Sequence, residues 1–161
     1  MIEVTVQKHP RTLPVRLRWL RRVAQAALGM EPIATRARAG GGISLVALDA
    51  ARMAAVNETH LQHPGPTDVI TFDYTGADAV GAGLRGEILV CPEVAAQQAR
   101  EFRTSTASEL VRYVAHGLLH LCGYDDHDVE DRRVMKRQEN RLVRQLATQP
   151  GCEVSASGCP A

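Results

Sequence analysis

The run GEILVCPEVAAQQAREFRTSTASELVRYVAHGLLHLCGYDDHD, residues 86–128, carries the reading of the fold. Its first part, Gly86 to Pro92, is short, apolar and closed by a proline, as a buried strand is. Pro92 suits the first position of a helix, where its missing N–H costs nothing, and that helix extends to about Thr104. Thr106 or Ser108 can cap the next helix, Gly123 ends it, and Asp128 or a neighbour starts a last helix reaching about Ala147. Upstream, residues 2 to 7 alternate apolar and polar like a half-buried strand, and His9, Pro10 and Pro14 punctuate a turn. Leu13, Leu17, Leu20, Ala24 and Leu28 then recur at helical spacing, with Gly29 as the stop. After Gly40-Gly41-Gly42 come a buried strand at 43–48, a helix capped by Asp49 and running to about His60, and a loop from Leu61 to Pro66. A further strand at 68–74 is joined to the quoted run by a Gly/Ala-rich connection. Strands and helices alternate irregularly, so the expected class is α+β: a single domain with a small mixed β-sheet packed against several α-helices.

A chain of 161 residues with 45% hydrophobic content can bury one good core and is too short for two comfortable domains. The domain is expected to span 1–147, with residues 148–161, poor in apolar surface, as a disordered tail. No apolar stretch is long enough for a membrane span and the N-terminus lacks a signal-peptide pattern, so a cytoplasmic protein with no membrane partner is expected. Cys91, Cys122, Cys152 and Cys159 form no C-x-x-C pair, which speaks for reduced thiols rather than a zinc ribbon or a disulfide framework. The net charge of +1 hides an asymmetry: residues 8 to 38 hold eight Lys/Arg and one acid. Arg18 and Arg22, opposite the apolar face, are either a solvated basic face or a surface for phosphates.

The chemistry concentrates in His116 and His120. Two histidines four apart on a helix lie one above the other, so their rings can converge on one ion. An isolated pair of this kind is common and mostly binds nothing. Here Val111, Val114, Leu118 and Leu121 make an apolar stripe, and both histidines are expected on the opposite side with Glu109 and Tyr113. Gly123 can then turn the chain back so that a side chain a few positions later, where Asp125, Asp126 and His127 cluster, supplies a third ligand, leaving a fourth position open as in catalytic zinc sites. Zinc peptidases carry a glutamate beside the first histidine, but this chain has Gly117 there and lacks that proton acceptor.

The run HGLLHLCGYDD, residues 116–126, resembles the signature of the YbeY family of bacterial rRNA maturation factors, which are single-metal endoribonucleases. Asn57, the segment Pro66-Thr67-Asp68-Val69-Ile70-Thr71-Phe72 and Gly86-Glu87-Ile88 are similar to further parts of the family pattern, and the likeness covers about residues 40 to 145. The resemblance implies a single-strand-specific, metal-dependent endoribonuclease acting in rRNA processing, at the 3′ end of 16S rRNA, and in ribosome quality control. It implies one Zn2+ per chain held by His116, His120 and, at the family's ten-residue spacing, Asp126, with His127 the alternate third ligand. Glu87, Asp125 and His127 are candidate proton carriers. The implied partners are rRNA precursors and the small ribosomal subunit, with ribosomal proteins as further candidates. One departure is Leu61, where the family commonly has an arginine; it keeps open a non-catalytic reading, a zinc-stabilised ribosome-assembly factor.

Overall fold

The computed structural model describes residues 1–76 and 83–154. Four strands, β1 (Ile2–His9), β2 (Gly41–Leu48), β3 (Val69–Asp73) and β4 (Leu84–Val90), form one mixed sheet in the order β1-β2-β4-β3. β1 and β4 both run parallel to β2, and β3 pairs antiparallel with β4. The register places Val4 beside Ile43 and Leu45 beside Ile88, so Val6, Ile43, Leu45, Ile88 and Val90 share one face. That face carries the main core, together with α1 (Leu17–Leu28), α5 (Thr106–Leu121) and α6 (Val129–Ala147). Among the described residues, the other face is covered only at one end. There α3 (Ala50–Leu61) buries Met53 against Val46, Leu48, Ile70 and Leu89. The uncovered part of β1 shows Glu3, Thr5 and Gln7 to water, which explains its alternating pattern.

The element order follows the expected one, with differences at the ends. Asp49 and Asp128 cap α3 and α6 through hydrogen bonds from Arg52 N and Asp131 N. α5 is capped one residue earlier than expected, by Ser105, whose hydroxyl accepts from Ser108 N at 3.1 Å. α1 starts at Leu17 rather than Leu13 because Pro14 disfavours helical geometry at the residue before it. Leu13 and Val15 are nevertheless buried, and Lys8 Nζ donates to both of their carbonyls. A five-residue helix, α2 (Ile33–Ala37), has only Ile33 buried and left no periodic signal. Between β4 and α5 lies α4 (Pro92–Phe102), opened by its proline as read. The Gly/Ala-rich connection falls largely on residues 77–82, outside the described residues.

The tail expected from residue 148 does not describe residues 148–154. Cys152 is 1% exposed and joins the main core, held by a turn in which Cys152 N donates to Gln149 O. Burial raises its pKa, so it is a neutral thiol. No described helix is long and apolar enough to cross a membrane.

Candidate metal centre

α5 is the central helix of the main core, and the expectation of a single apolar stripe understates its burial. Glu109 and Tyr113, expected beside the histidines on an open side, are 3% and 2% exposed. Two glycines let the helix lie this close to the sheet. A Cβ on Gly117 would stand 2.7 Å from Ile88 Cγ2, and one on Gly86 would stand 2.5 Å from Leu121 Cδ2. The position where a zinc peptidase carries its glutamate is thus packed against the sheet and has no room for a side chain.

His116 and His120 emerge from the partly open strip of α5, with side chains 24% and 27% exposed. The helix stops through two reverse hydrogen bonds, Gly123 N to His120 O and Tyr124 N to Leu119 O, with Gly123 at φ +89°. This turn brings Tyr124 O to 3.0 Å from His120 Nδ1. A carbonyl can only accept, so His120 Nδ1 is the donor. His116 Nδ1 lies 3.0 Å from Oε2 of Glu139 on α6. Burial alone would raise the Glu139 pKa, but hydrogen bonds from His116, Lys136 and Arg112 outweigh it and bring it down to about 2. The carboxylate is therefore ionised, and His116 Nδ1 is also a donor.

Both rings, when neutral, consequently carry their lone pair on Nε2. These two atoms face each other at 3.1 Å, and two neutral rings would meet there lone pair to lone pair. Burial, followed by the neighbouring His116, lowers the His120 pKa and keeps that ring neutral. Two lone pairs directed at each other repel unless a cation lies near both, and the imidazole tautomers are those a metal ligand needs. Asp126 completes the cluster, its carboxylate oxygens 3.9 Å from His116 Nε2 and 4.0 Å from His120 Nε2. The donor set His116, His120 and Asp126 fits a divalent transition metal.

The loop that delivers Asp126 is held from α6, where Arg132 Nε donates to Asp126 O at 3.2 Å and Nη2 to His127 O at 3.4 Å. His127 itself is 89% exposed and lies 3.7 Å from Asp125, and these two group with Asp126 but not with the histidine pair. The structure therefore brings Asp126 to the two histidines and leaves His127 and Asp125 at the rim. Glu87 is not brought there. Strand alternation puts it on the face opposite α5, where its carboxylate accepts from Ser44 Oγ at 3.2 Å and Tyr74 Oη at 3.4 Å.

Glu139 is the residue that sequence reasoning missed. It is 4% exposed and stands between Met135 and Leu142 on the buried face of α6, so a glutamate in an apolar stripe was its available signal. Leu61 ends α3 at 48% exposure. Asn57 on the same helix is buried, and its Nδ2 donates to Gly65 O at 2.9 Å, fastening the loop that leads into β3.

Fold and site together define a single-domain α+β protein with a candidate metal centre of two histidines and one aspartate. The sequence profile of the family described as Endoribonuclease YbeY matches residues 5–147, and the chain belongs to that family. A Chlorobium luteolum protein named Endoribonuclease YbeY is 43% identical over 91 residues, which are 56% of this chain and 64% of that protein. The Parabacteroides distasonis protein of the same name is 33% identical over 78% of this chain and 79% of its own. A solution structure from Thermotoga maritima shares the fold with a TM-score of 0.52 at 22% identity, covering 98% of this chain and 99% of that one.

Proposed function

We propose that this chain is a zinc-dependent endoribonuclease that cleaves single-stranded regions of rRNA precursors, including the 3′ end of 16S rRNA, in the cytoplasm and on the small ribosomal subunit. The observation that carries this reading is the pair of Nε2 atoms that face each other at 3.1 Å beside Asp126, with an acceptor at each Nδ1. His116, His120 and Asp126 would hold the metal. When bound, the ion supplies Lewis acidity toward a phosphoryl oxygen. Three protein donors leave coordination positions for substrate, as catalytic zinc sites do.

The chain's own residues divide the remaining work. Glu139 holds the His116 ring through Nδ1, and the Tyr124 carbonyl does the same for His120. Lys136 and Arg132 line the depression around His116 and Asp126 and place positive charge where a phosphodiester would lie. His127 and Asp125 at the rim are the candidates for moving a proton to or from the attacking and leaving oxygens. Residues 1–147 would form the single ribonuclease domain, with residues 148–154 packed onto it.

The second reading is a zinc-stabilised assembly factor that docks on rRNA without cutting it, favoured by Leu61 in place of the family's arginine. Incubation of a 16S rRNA precursor with metal-loaded and metal-stripped protein separates the two. Scission in single-stranded segments, confined to the loaded sample, is expected. Binding without scission in both samples would support the assembly factor instead.

A further inference from the structure

The apolar stripe of α4 runs past the edge of the core. Pro92, Ala95 and Ala99 are buried at helical spacing, and the next member, Phe102, is 61% exposed. Its ring borders a cleft of about 440 Å³ that opens beside His116, and that size is within the ~300–1,000 Å³ typical of small-ligand pockets.

The polar groups of this cleft are oriented but not saturated. Gln98 Oε1 accepts from the hydroxyl of buried Tyr113 at 2.5 Å, which fixes the amide and leaves its NH2 to the cleft. Asn140 Oδ1 accepts from Arg112 Nη1 at 2.9 Å, which likewise frees its NH2. Among the described residues, neither amide gives its N–H groups to a protein acceptor. Glu109, 3% exposed, accepts from Thr104 Oγ1 through one oxygen and has the other available as an acceptor. Arg112 and Lys136 hold positive charge at the Glu139 side.

We infer that this cleft is a nucleobase pocket, in which the base next to the scissile phosphate stacks on Phe102 while Gln98, Asn140 and Glu109 meet its polar edge. The inference rests on the RNA reading above and adds a substrate subsite to it. An exposed aromatic ring, fixed donors and a buried acceptor form the set that holds an unstacked base, and single-stranded RNA is the nucleic acid that offers one. The cations between cleft and metal centre suit the phosphate that joins them. A duplex could not place a base there without unpairing it, so the pocket also accounts for a preference for single strands.

The test uses metal-loaded protein and a 2′-deoxy hexanucleotide carrying one 2-aminopurine, with fluorescence and Kd as readouts. Wild type should quench the fluorophore by stacking. Phe102→Ala should abolish the quench and weaken binding about 5- to 150-fold, the ~1–3 kcal/mol range of base–aromatic stacking, while Phe102→Tyr restores both. An unchanged melting temperature for Phe102→Ala shows that the fold is intact, as its exposure leads one to expect. Equal quench and Kd in wild type and Phe102→Ala would overturn the pocket, even if wild type cuts ordinary RNA. The predicted contrast without any RNA cleavage would leave the pocket standing and remove the nuclease reading instead.

Discussion

At the residue scale, the centre depends on which side chain the turn after Gly123 delivers. Asp126 oxygens lie 3.9 and 4.0 Å from the histidine nitrogens, whereas His127 is 89% exposed and groups with Asp125 and Asp126 rather than with the two histidines. Asp126→Ala should therefore weaken metal binding by about 10-fold or more, and His127→Ala should retain the metal. Chelator competition measures both, and the reverse ranking would exchange their roles. Glu139 acts one bond further out by holding the His116 tautomer. Glu139→Gln should lower metal affinity about 10- to 100-fold, the usual cost of losing such a partner. A glutamate needed only for packing would lower the melting temperature and leave affinity untouched. The histidine pair was legible from local helix geometry, whereas Asp126 was preferred to His127 only through the family's ten-residue spacing, since a turn after Gly123 does not itself say which side chain it delivers. Glu139 was not legible, because its contact with His116 spans 23 residues and depends on how α6 packs on α5.

At the scale of elements, α5 is both the core of the fold and the platform of the site. Gly117 shows how the two are linked, since its missing side chain lets α5 approach Ile88 and Thr71. Gly117→Ala would place a Cβ 2.7 Å from Ile88 Cγ2 and should destabilise the protein by about 1–3 kcal/mol, read from a denaturant titration. No loss of stability would mean that the helix can back away from the sheet at no cost. Strong local signals located the capped helices, because Asp49 and Asp128 act within their own first turn. β4 was placed two residues late because Leu84 and Arg85 precede Gly86 and are ordered by pairing with Gly41 and Gly42, a partnership invisible in a local window. The face of Glu87 was hidden for a related reason. Alternation gives two faces, and only the position of α5 says which one meets the histidines.

On the scale of the whole molecule, charge is not distributed as the N-terminal run suggested. Arg18 and Arg22 are exposed on α1, but no α1 residue lines the cleft beside His116, and Arg22 lies against Gly151. Cations near the centre come instead from α5 and α6, as Arg112, Arg132 and Lys136. Lys136→Gln should flatten the dependence of log Kd for single-stranded RNA on log salt by about 0.7, one phosphate contact, while the Arg18→Gln/Arg22→Gln pair leaves it unchanged. A flatter slope in the arginine pair would place RNA on α1 as well. The sequence could show that a basic run existed but not where it would sit, since that depends on how α1 packs on β1 and α5. The central claim is that His116, His120 and Asp126 hold an ion required for RNA cleavage. Its most direct measurement is a titration of metal-stripped protein with zinc, following cleavage of a single-stranded rRNA-precursor fragment. The account predicts no cleavage at the start, a rise that ends near one equivalent per chain, and a flat response for His116→Ala. Cleavage by the stripped protein, or an equal rise in His116→Ala, would contradict it.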